Sequence, residues 1–363
     1  MRGLTFQGTH DVRVEELPEP VIEEPTDAIV RVTMAGICGS DLHIYNAGAA
    51  FGFPAGSRLG HEFIGTVEEV GPEVRAVAAG DRVLSSCSVA CGECTWCREG
   101  LSSSCVRWSL FGWAPRVWQH GGAVEGAQSE LMRVPLANAT LHAMPEALAG
   151  PEREATLLPI VDVMSTGWHG LTSAGAAPGQ SVVVIGDGAV GLAGVHGARA
   201  KGAERIVCLG HHPDRLQTAT ALGATLTVDS RDDDEITEAV LGHTGGEGAH
   251  VVVDSISGPG SMATAHACVR PGGTIACLGM DHFMGKTPSV NWFDQFVRNI
   301  SVTGGLVPGK RYFPELLALA ERGDIDPAPM ISHRLPLDGA ADGYRMMADR
   351  DEGVVKVALQ PAQ

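Results

Sequence analysis

The chain has 363 residues, 44% apolar and 19% charged, with a formal charge of −17, 47 glycines and nine cysteines. That length predicts two domains with sizeable cores, and the acidity argues against nucleic acid or an anionic membrane surface as a partner. No run of about 18 apolar residues occurs, and the start MRGLTFQGTHDVRVEELPEP lacks an apolar signal core, so a cytoplasmic protein with unpaired thiols is expected.

The first stretch alternates short apolar runs with glycine and proline. AIVRVTMAGI (28–37), EFIGTVEEVG (62–71) and DRVLSSC (81–87) read as short twisted strands, so a β-rich domain is predicted over residues 1–163. The pattern then changes. SVVVIG (181–186), RIVCLG (205–210), TLTVDS (225–230), HVVVDS (250–255) and GTIACLG (273–279) are compact apolar runs separated by Ala-rich or amphipathic segments. Strands buried on both faces with helices between them predict an α/β domain with a parallel sheet over residues 164–300. One more helix is expected at FPELLALAERG (313–323), then a strand-turn-helix tail ending in VVKVALQ. Residues 301–363 are expected to complete the first domain.

Cys91, Cys94, Cys97 and Cys105 follow a C-x2-C-x2-C-x7-C spacing. Four thiolates on one short loop can close a tetrahedral shell around Zn²⁺, leaving no open position for chemistry. Two disulfides are the competing reading, disfavoured where nothing else indicates secretion. Three further residues form a scattered set: Cys38 in CGSDLH, His61 in GHE and Asp162 in LPIVDVMSTGWHG. Singly each is weak. Together they supply three ligands and leave a fourth position for water or substrate, with Glu62 as an adjacent carboxylate.

Gly186, Asp187, Gly188, Ala189, Val190 and Gly191 spell G-x-G-x-x-G directly after the strand SVVVI and at the start of a helical segment. In that context the glycines allow a tight turn, backbone approach to a pyrophosphate and close helix packing. An acidic residue at the end of the second strand would hold the ribose 2′-hydroxyl of NAD. This chain has Gly210 there, followed by His211, His212 and Arg215, which offer donors to a 2′-phosphate. NADP(H) is therefore expected over NAD(H). The competing reading has Asp214 take the ribose and NAD used.

GHEFIGTVEEVG, CGSDLH, the four-cysteine lobe and the glycine loop together resemble the zinc-dependent medium-chain alcohol dehydrogenases over essentially the whole chain. The resemblance implies a GroES-like β-rich catalytic domain beside a Rossmann domain, with the active site in the cleft between them. It implies two zincs per chain. Cys38, His61 and Asp162 match the catalytic ligands, and Asp162 falls where many members have a second cysteine. Some bacterial, NADP-linked secondary-alcohol enzymes have Asp at that position, although they commonly lack the four-cysteine lobe. Glu62 matches an outer or alternating ligand, and Asp41 the residue that buttresses the zinc-bound histidine. Ser40 is expected to take the alcohol proton and His43 to pass it toward solvent. Thr166 resembles a residue packed behind the nicotinamide, and Lys356 is expected either to meet a cofactor phosphate or to be a solvated charge. Cys87 and Trp113 are expected as pocket walls.

These features imply reversible hydride transfer between NAD(P) and a small-molecule alcohol, most readily a secondary one, in a homodimer or homotetramer. Two alternatives have different chemistry. One is a zinc-free quinone or enone reductase on the same fold, which the ligand set disfavours. The other is a catalytically silent nucleotide-binding structural protein, which Ser40 and His43 disfavour.

Overall fold

A computed structural model of the protein describes residues 1–113, 120–229, 231–280 and 289–361. They fall into two units: residues 1–162, 308–322 and 326–363 form one, and residues 163–307 and 323–325 the other.

The first unit opens with β1 (Arg2–Gly8), which turns back into β2 (Asp11–Glu16). The Val/Ile-rich run Ala28–Ile37 is β3, nine of its ten residues at least half-buried. α1 (Gly39–Ala47) follows directly, with Cys38 as its N-cap. Next come β4 (Ser57–Arg58), β5 (Glu62–Val70) and β6 (Arg82–Ser85). β7 (Ser88–Val89) and β8 (Ser109–Leu110) pair with each other and bracket α2 (Thr95–Arg98) in the cysteine lobe. β9 (Leu131–Val134), α3 (Ala137–Thr140), β10 (Leu141–Ala143) and α4 (Pro151–Leu157) complete this stretch.

α5 (Val163–Ser173) opens the second unit. Strands and helices then alternate: β11 (Ser181–Ile185), α6 (Ala189–Ala200), β12 (Arg205–Leu209), α7 (Pro213–Leu222), β13 (Leu226–Val228), α8 (Asp233–His243) and β14 (Ala249–Asp254). α9 (Pro259–Cys268), β15 (Val269–Cys277), α10 (Trp292–Arg298) and β16 (Ser301–Gly304) follow. All five β11 residues are buried, as a strand covered by helices on both faces requires. The strands form one parallel sheet in the order β13-β12-β11-β14-β15-β16. This is the doubly wound arrangement, with its strand order reversing beside β11, where a crevice opens at the strands' carboxyl ends.

The chain then returns to the first unit through α11 (Phe313–Arg322), β17 (His333–Pro336), α12 (Ala340–Asp349) and β18 (Val357–Gln360). β18 pairs antiparallel with β3, Val357 opposite Ile37, giving the sheet order β10-β6-β5-β3-β18-β17 with β9 also on β3. The return begins at Pro308 rather than at 301, because residues 301–304 pair with β15 as the sixth strand of the parallel sheet. No helix among the described residues is long and apolar enough to cross a membrane.

Candidate metal centres and dinucleotide loop

Three segments far apart in sequence converge in the first unit. Cys38 ends β3 and caps α1, His61 and Glu62 open β5, and Asp162 lies at the end of the turn after α4. Cys38 Sγ is 3.5 Å from Asp162 Oδ2, and His61 Nε2 is 3.4 Å from the same oxygen. One ligand atom from each of Cys38, His61, Glu62 and Asp162 lies within 4.8 Å of the others. Burial, then the Asp162 and Glu62 carboxylates, push the Cys38 thiol above its ordinary pKa. A dication at the point they share would reverse that penalty, and sulfur, nitrogen and carboxylate oxygen are the donor set zinc takes. The residues fit the metal.

Behind the ligands lies a buried polar relay. Asp41 Oδ1 is 3.2 Å from His61 Nδ1, which leaves Nε2 to face the other ligands. Asp41 Oδ2 accepts the Cys38 backbone N–H at 2.9 Å and lies 3.4 Å from Gln128 Nε2. Gln128 also donates to the Gly36 carbonyl at 2.9 Å and accepts from the Tyr344 hydroxyl at 2.8 Å. Gln128 and Tyr344 carry no sequence signal, because they belong to no local motif and meet α1 only through the fold. Ser40 Oγ is 3.2 Å from His61 Nε2, and His43 stands one turn further along α1, half-buried.

Lys356 departs from expectation. It neither faces solvent nor remains available to a cofactor phosphate, since its side chain is 1% exposed and its ammonium lies 2.7 Å from Glu62 Oε1. Cys87 is buried, its thiol pushed up first by burial and then by the Asp162 charge, which places it within electrostatic reach of the ligand set. Trp113 is buried edge-on against Phe53, with ring centroids 5.1 Å apart.

The cysteine lobe is a second, separate cluster. Ligand atoms of Cys91, Cys94, Cys97 and Cys105 lie within 4.8 Å of one another, and all nine cysteines are unpaired. Backbone N–H groups point at the sulfurs: Cys91 N–H to Cys105 Sγ at 3.2 Å, Arg107 N–H to the same sulfur at 3.3 Å, and Cys94 N–H to Cys91 Sγ at 3.4 Å. N–H groups of Cys97 and Val106 bring the Cys94 thiol down to about 6. Donors aimed at sulfur stabilise thiolates, so this lobe suits a closed four-sulfur zinc site.

In the second unit, Gly186 follows β11 with φ of +105°, a conformation that favours glycine. Gly188 is the N-cap of α6, and a side-chain carbon there would meet nothing within 4 Å, so the helix N-terminus is open to a ligand. A side chain at Gly191 would collide with the Gly186 carbonyl. Ala189 and Val190 form the half-exposed first turn of α6. Thr166 is half-buried in α5.

At the end of β12, His211, His212 and Arg215 are not uncommitted donors. His212 Nδ1 lies 2.9 Å and Arg215 Nη1 3.8 Å from Asp187, and His211 Nδ1 lies 3.8 Å from Asp229 Oδ1. An acid enters here from the glycine loop, and the three side chains expected to face a 2′-phosphate each lie against a carboxylate.

The chain matches known proteins along its length. The family model described as alcohol dehydrogenase GroES-like domain matches residues 24–146, and the one described as zinc-binding dehydrogenase matches residues 189–322. A zinc-type alcohol dehydrogenase-like protein of Bacillus subtilis is 33% identical over 388 residues, covering 99% of this chain and all of that protein. An erythritol/L-threitol dehydrogenase of Mycolicibacterium smegmatis is 30% identical over 374 residues, covering 100% of this chain and 98% of that one. The solved alcohol dehydrogenase of Thermus sp. ATN1 superposes with a TM-score of 0.90 at 34% identity, with 99% of each chain covered. Matched from end to end in sequence and in fold, the chain belongs to the zinc-dependent medium-chain alcohol dehydrogenase family.

Proposed function

We propose that this chain catalyses reversible hydride transfer between a secondary alcohol and a nicotinamide dinucleotide. The observation that carries this reading is the convergence of Cys38, His61 and Asp162, with Glu62 beside them, on one point. In the bound state a zinc ion supplies Lewis acidity that makes an alcohol hydroxyl easier to deprotonate, and the dinucleotide supplies the hydride acceptor.

The chain's own residues do the rest. Asp41 holds the His61 ring and sets its tautomer. Ser40 Oγ, already beside His61 Nε2, is the group placed to take the alcohol proton, and His43 is the next titratable side chain along α1. Gly186, Gly188 and the first turn of α6 hold the pyrophosphate, and Cys91, Cys94, Cys97 and Cys105 hold a structural zinc. Cys87, a small buried side chain that feels the Asp162 charge, is the expected pocket residue on this side.

We also infer self-association. Trp292, Phe293, Phe296 and Val297 on one side of α10 are 57–81% exposed, beside the sheet's edge strand β16.

The test of the reaction is absorbance at 340 nm with secondary alcohols, primary alcohols, polyols and ketones, each with both dinucleotides, on protein of known zinc content. Turnover of secondary alcohols above primary ones is expected. No turnover of any alcohol or ketone by zinc-loaded protein would overturn the proposal.

A further inference from the structure

The missing acid at the end of β12 has a structural replacement. A side-chain carbon built on Gly210 would lie 2.5 Å from Asp187 Oδ2 and 2.6 Å from Asp187 Cβ. Position 210 therefore has room only for glycine while residue 187 is Asp. The carboxylate lies within 3 Å of the point where a side chain on residue 210 would begin, and it arrives from the loop after β11.

The group is fixed there. Asp187 Oδ2 accepts the backbone N–H of His211 at 2.8 Å and of His212 at 2.9 Å. His212 Nδ1 lies 2.9 Å from Oδ2 and 3.1 Å from Oδ1, and Arg215 Nη1 lies 3.8 Å from Oδ1. Burial raises the Asp187 pKa, but the His212 contact and the two N–H groups outweigh it and hold the group below the ordinary Asp value, hence ionised. A carboxylate offers about four acceptor sites, and Oδ1 is the less committed oxygen.

The two ribose substituents meet this site differently. A 2′-phosphate adds about 1.5 to 2 negative charges next to an ionised acid, and its candidate donors His211, His212 and Arg215 already lie against Asp187 and Asp229. A 2′-hydroxyl adds no charge and needs one acceptor. We infer that Asp187 is the specificity residue for the adenosine ribose: its carboxylate replaces the acid absent at position 210 and selects a dinucleotide with a free 2′-hydroxyl over one with a 2′-phosphate. This inference rests on the reading of the glycine loop as a dinucleotide site.

The test is isothermal titration calorimetry on the purified full chain, wild type and Asp187→Asn, with NAD⁺, NADP⁺, 5′-ADP and 2′,5′-ADP. The wild type binds NAD⁺ more tightly than NADP⁺, and Asp187→Asn shifts that ratio toward NADP⁺ by about tenfold or more. The Asn amide oxygen can still accept the two backbone N–H groups, so the loop keeps its turn. If Asp187→Asn does not fold, the double variant Asp187→Gly/Gly210→Asp returns the acid to the second strand with every side-chain atom of residue 187 that met it removed, and it keeps the wild-type preference. A ratio unchanged in Asp187→Asn overturns the inference. So does a larger loss for NADP⁺ than for NAD⁺, which would make Asp187 the organiser of a phosphate cradle. So does loss of the preference in the double variant. A wild type that binds neither dinucleotide overturns the loop reading and this inference together.

Discussion

Lys356 Nζ lies 2.7 Å from Glu62 Oε1 and 2.5 Å from Oε2, and neither side chain is more than 1% exposed. Glu62 opens β5 and Lys356 precedes β18, the strands on either side of β3, so the pair bridges over Gly36. A side-chain carbon at Gly36 would run into the Glu62 carboxylate. Burial lowers the Lys356 pKa, but Glu62 outweighs it and holds the ammonium above its ordinary value. Removing one partner of a buried pair strands the other charge. Lys356→Met should cost about 3–5 kcal/mol of stability, and adding Glu62→Gln should recover much of that. Urea unfolding of wild type and the two variants checks this, and a double variant no better than Lys356→Met would refute the pairing account.

The two clusters should separate by metal content. Asp162→Ala and Cys97→Ser should each lower zinc from about two to about one per chain, and the combination to near zero. Turnover is lost in the first. In the second the larger effect is on the thermal stability of the lobe, because a closed site braces structure. Elemental analysis beside a 340 nm assay reads both. Full activity in Asp162→Ala would remove that residue from the site.

Asp41→Asn tests the relay behind the ligands. The amide can still accept from the Cys38 N–H but no longer presents a carboxylate to His61 Nδ1. Zinc affinity at the Cys38/His61/Asp162 site should fall about 10–100-fold, measured by competition with a chromophoric chelator. Affinity at the cysteine lobe serves as the internal control and should not move.

Lys310, a ligand in neither cluster, supplies a pH-dependent test. Its ammonium donates to the Asn138 carbonyl at 2.7 Å, and burial brings its pKa down from 10.5 to about 8. Below about pH 8 folded and unfolded chains both carry the proton, and the burial cost is fully present. Between about 8 and 10.5 the folded chain sheds a proton that the unfolded chain keeps, so stability from this group rises with pH. Lys310→Met should be more stable than wild type at pH 7 by about 1–2 kcal/mol, and the gap should close toward pH 10.5. A gap independent of pH, in urea midpoints, would contradict this.

The exposed face of α10 predicts a change in assembly. Phe293→Asp/Phe296→Asp puts two charges into that face without touching the glycine loop. Sedimentation should show a smaller species than wild type, with the secondary structure intact. An unaltered sedimentation coefficient would place the contact elsewhere.

Much of the fold was legible because its signals are local. Residues 28–37 were read as a strand and form β3 with the same bounds, and the apolar runs of the second domain became β11 to β15. The return to the first unit was placed seven residues early, because an edge strand such as Ser301–Gly304 has the same composition whichever sheet it joins. Lys356 departs from both of its expected roles for a similar reason: a lone lysine suggests a phosphate contact or a solvated charge, and only the sheet places Glu62 beside it.

The sequence by itself determined the chemistry available here: a four-cysteine lobe, a glycine loop after a strand, and a Cys/Ser/Asp/His helix start. Each is written in residues a few positions apart, where spacing alone dictates geometry. Only the tertiary structure decided which groups answer one another. Glu62 and Lys356 are 294 positions apart, Gln128 and Tyr344 are 216 apart, and Asp187 meets Gly210 from the loop after β11. Charges and hydrogen bonds act through a few ångströms of space, and strand order brings those distances about between segments that share no local pattern.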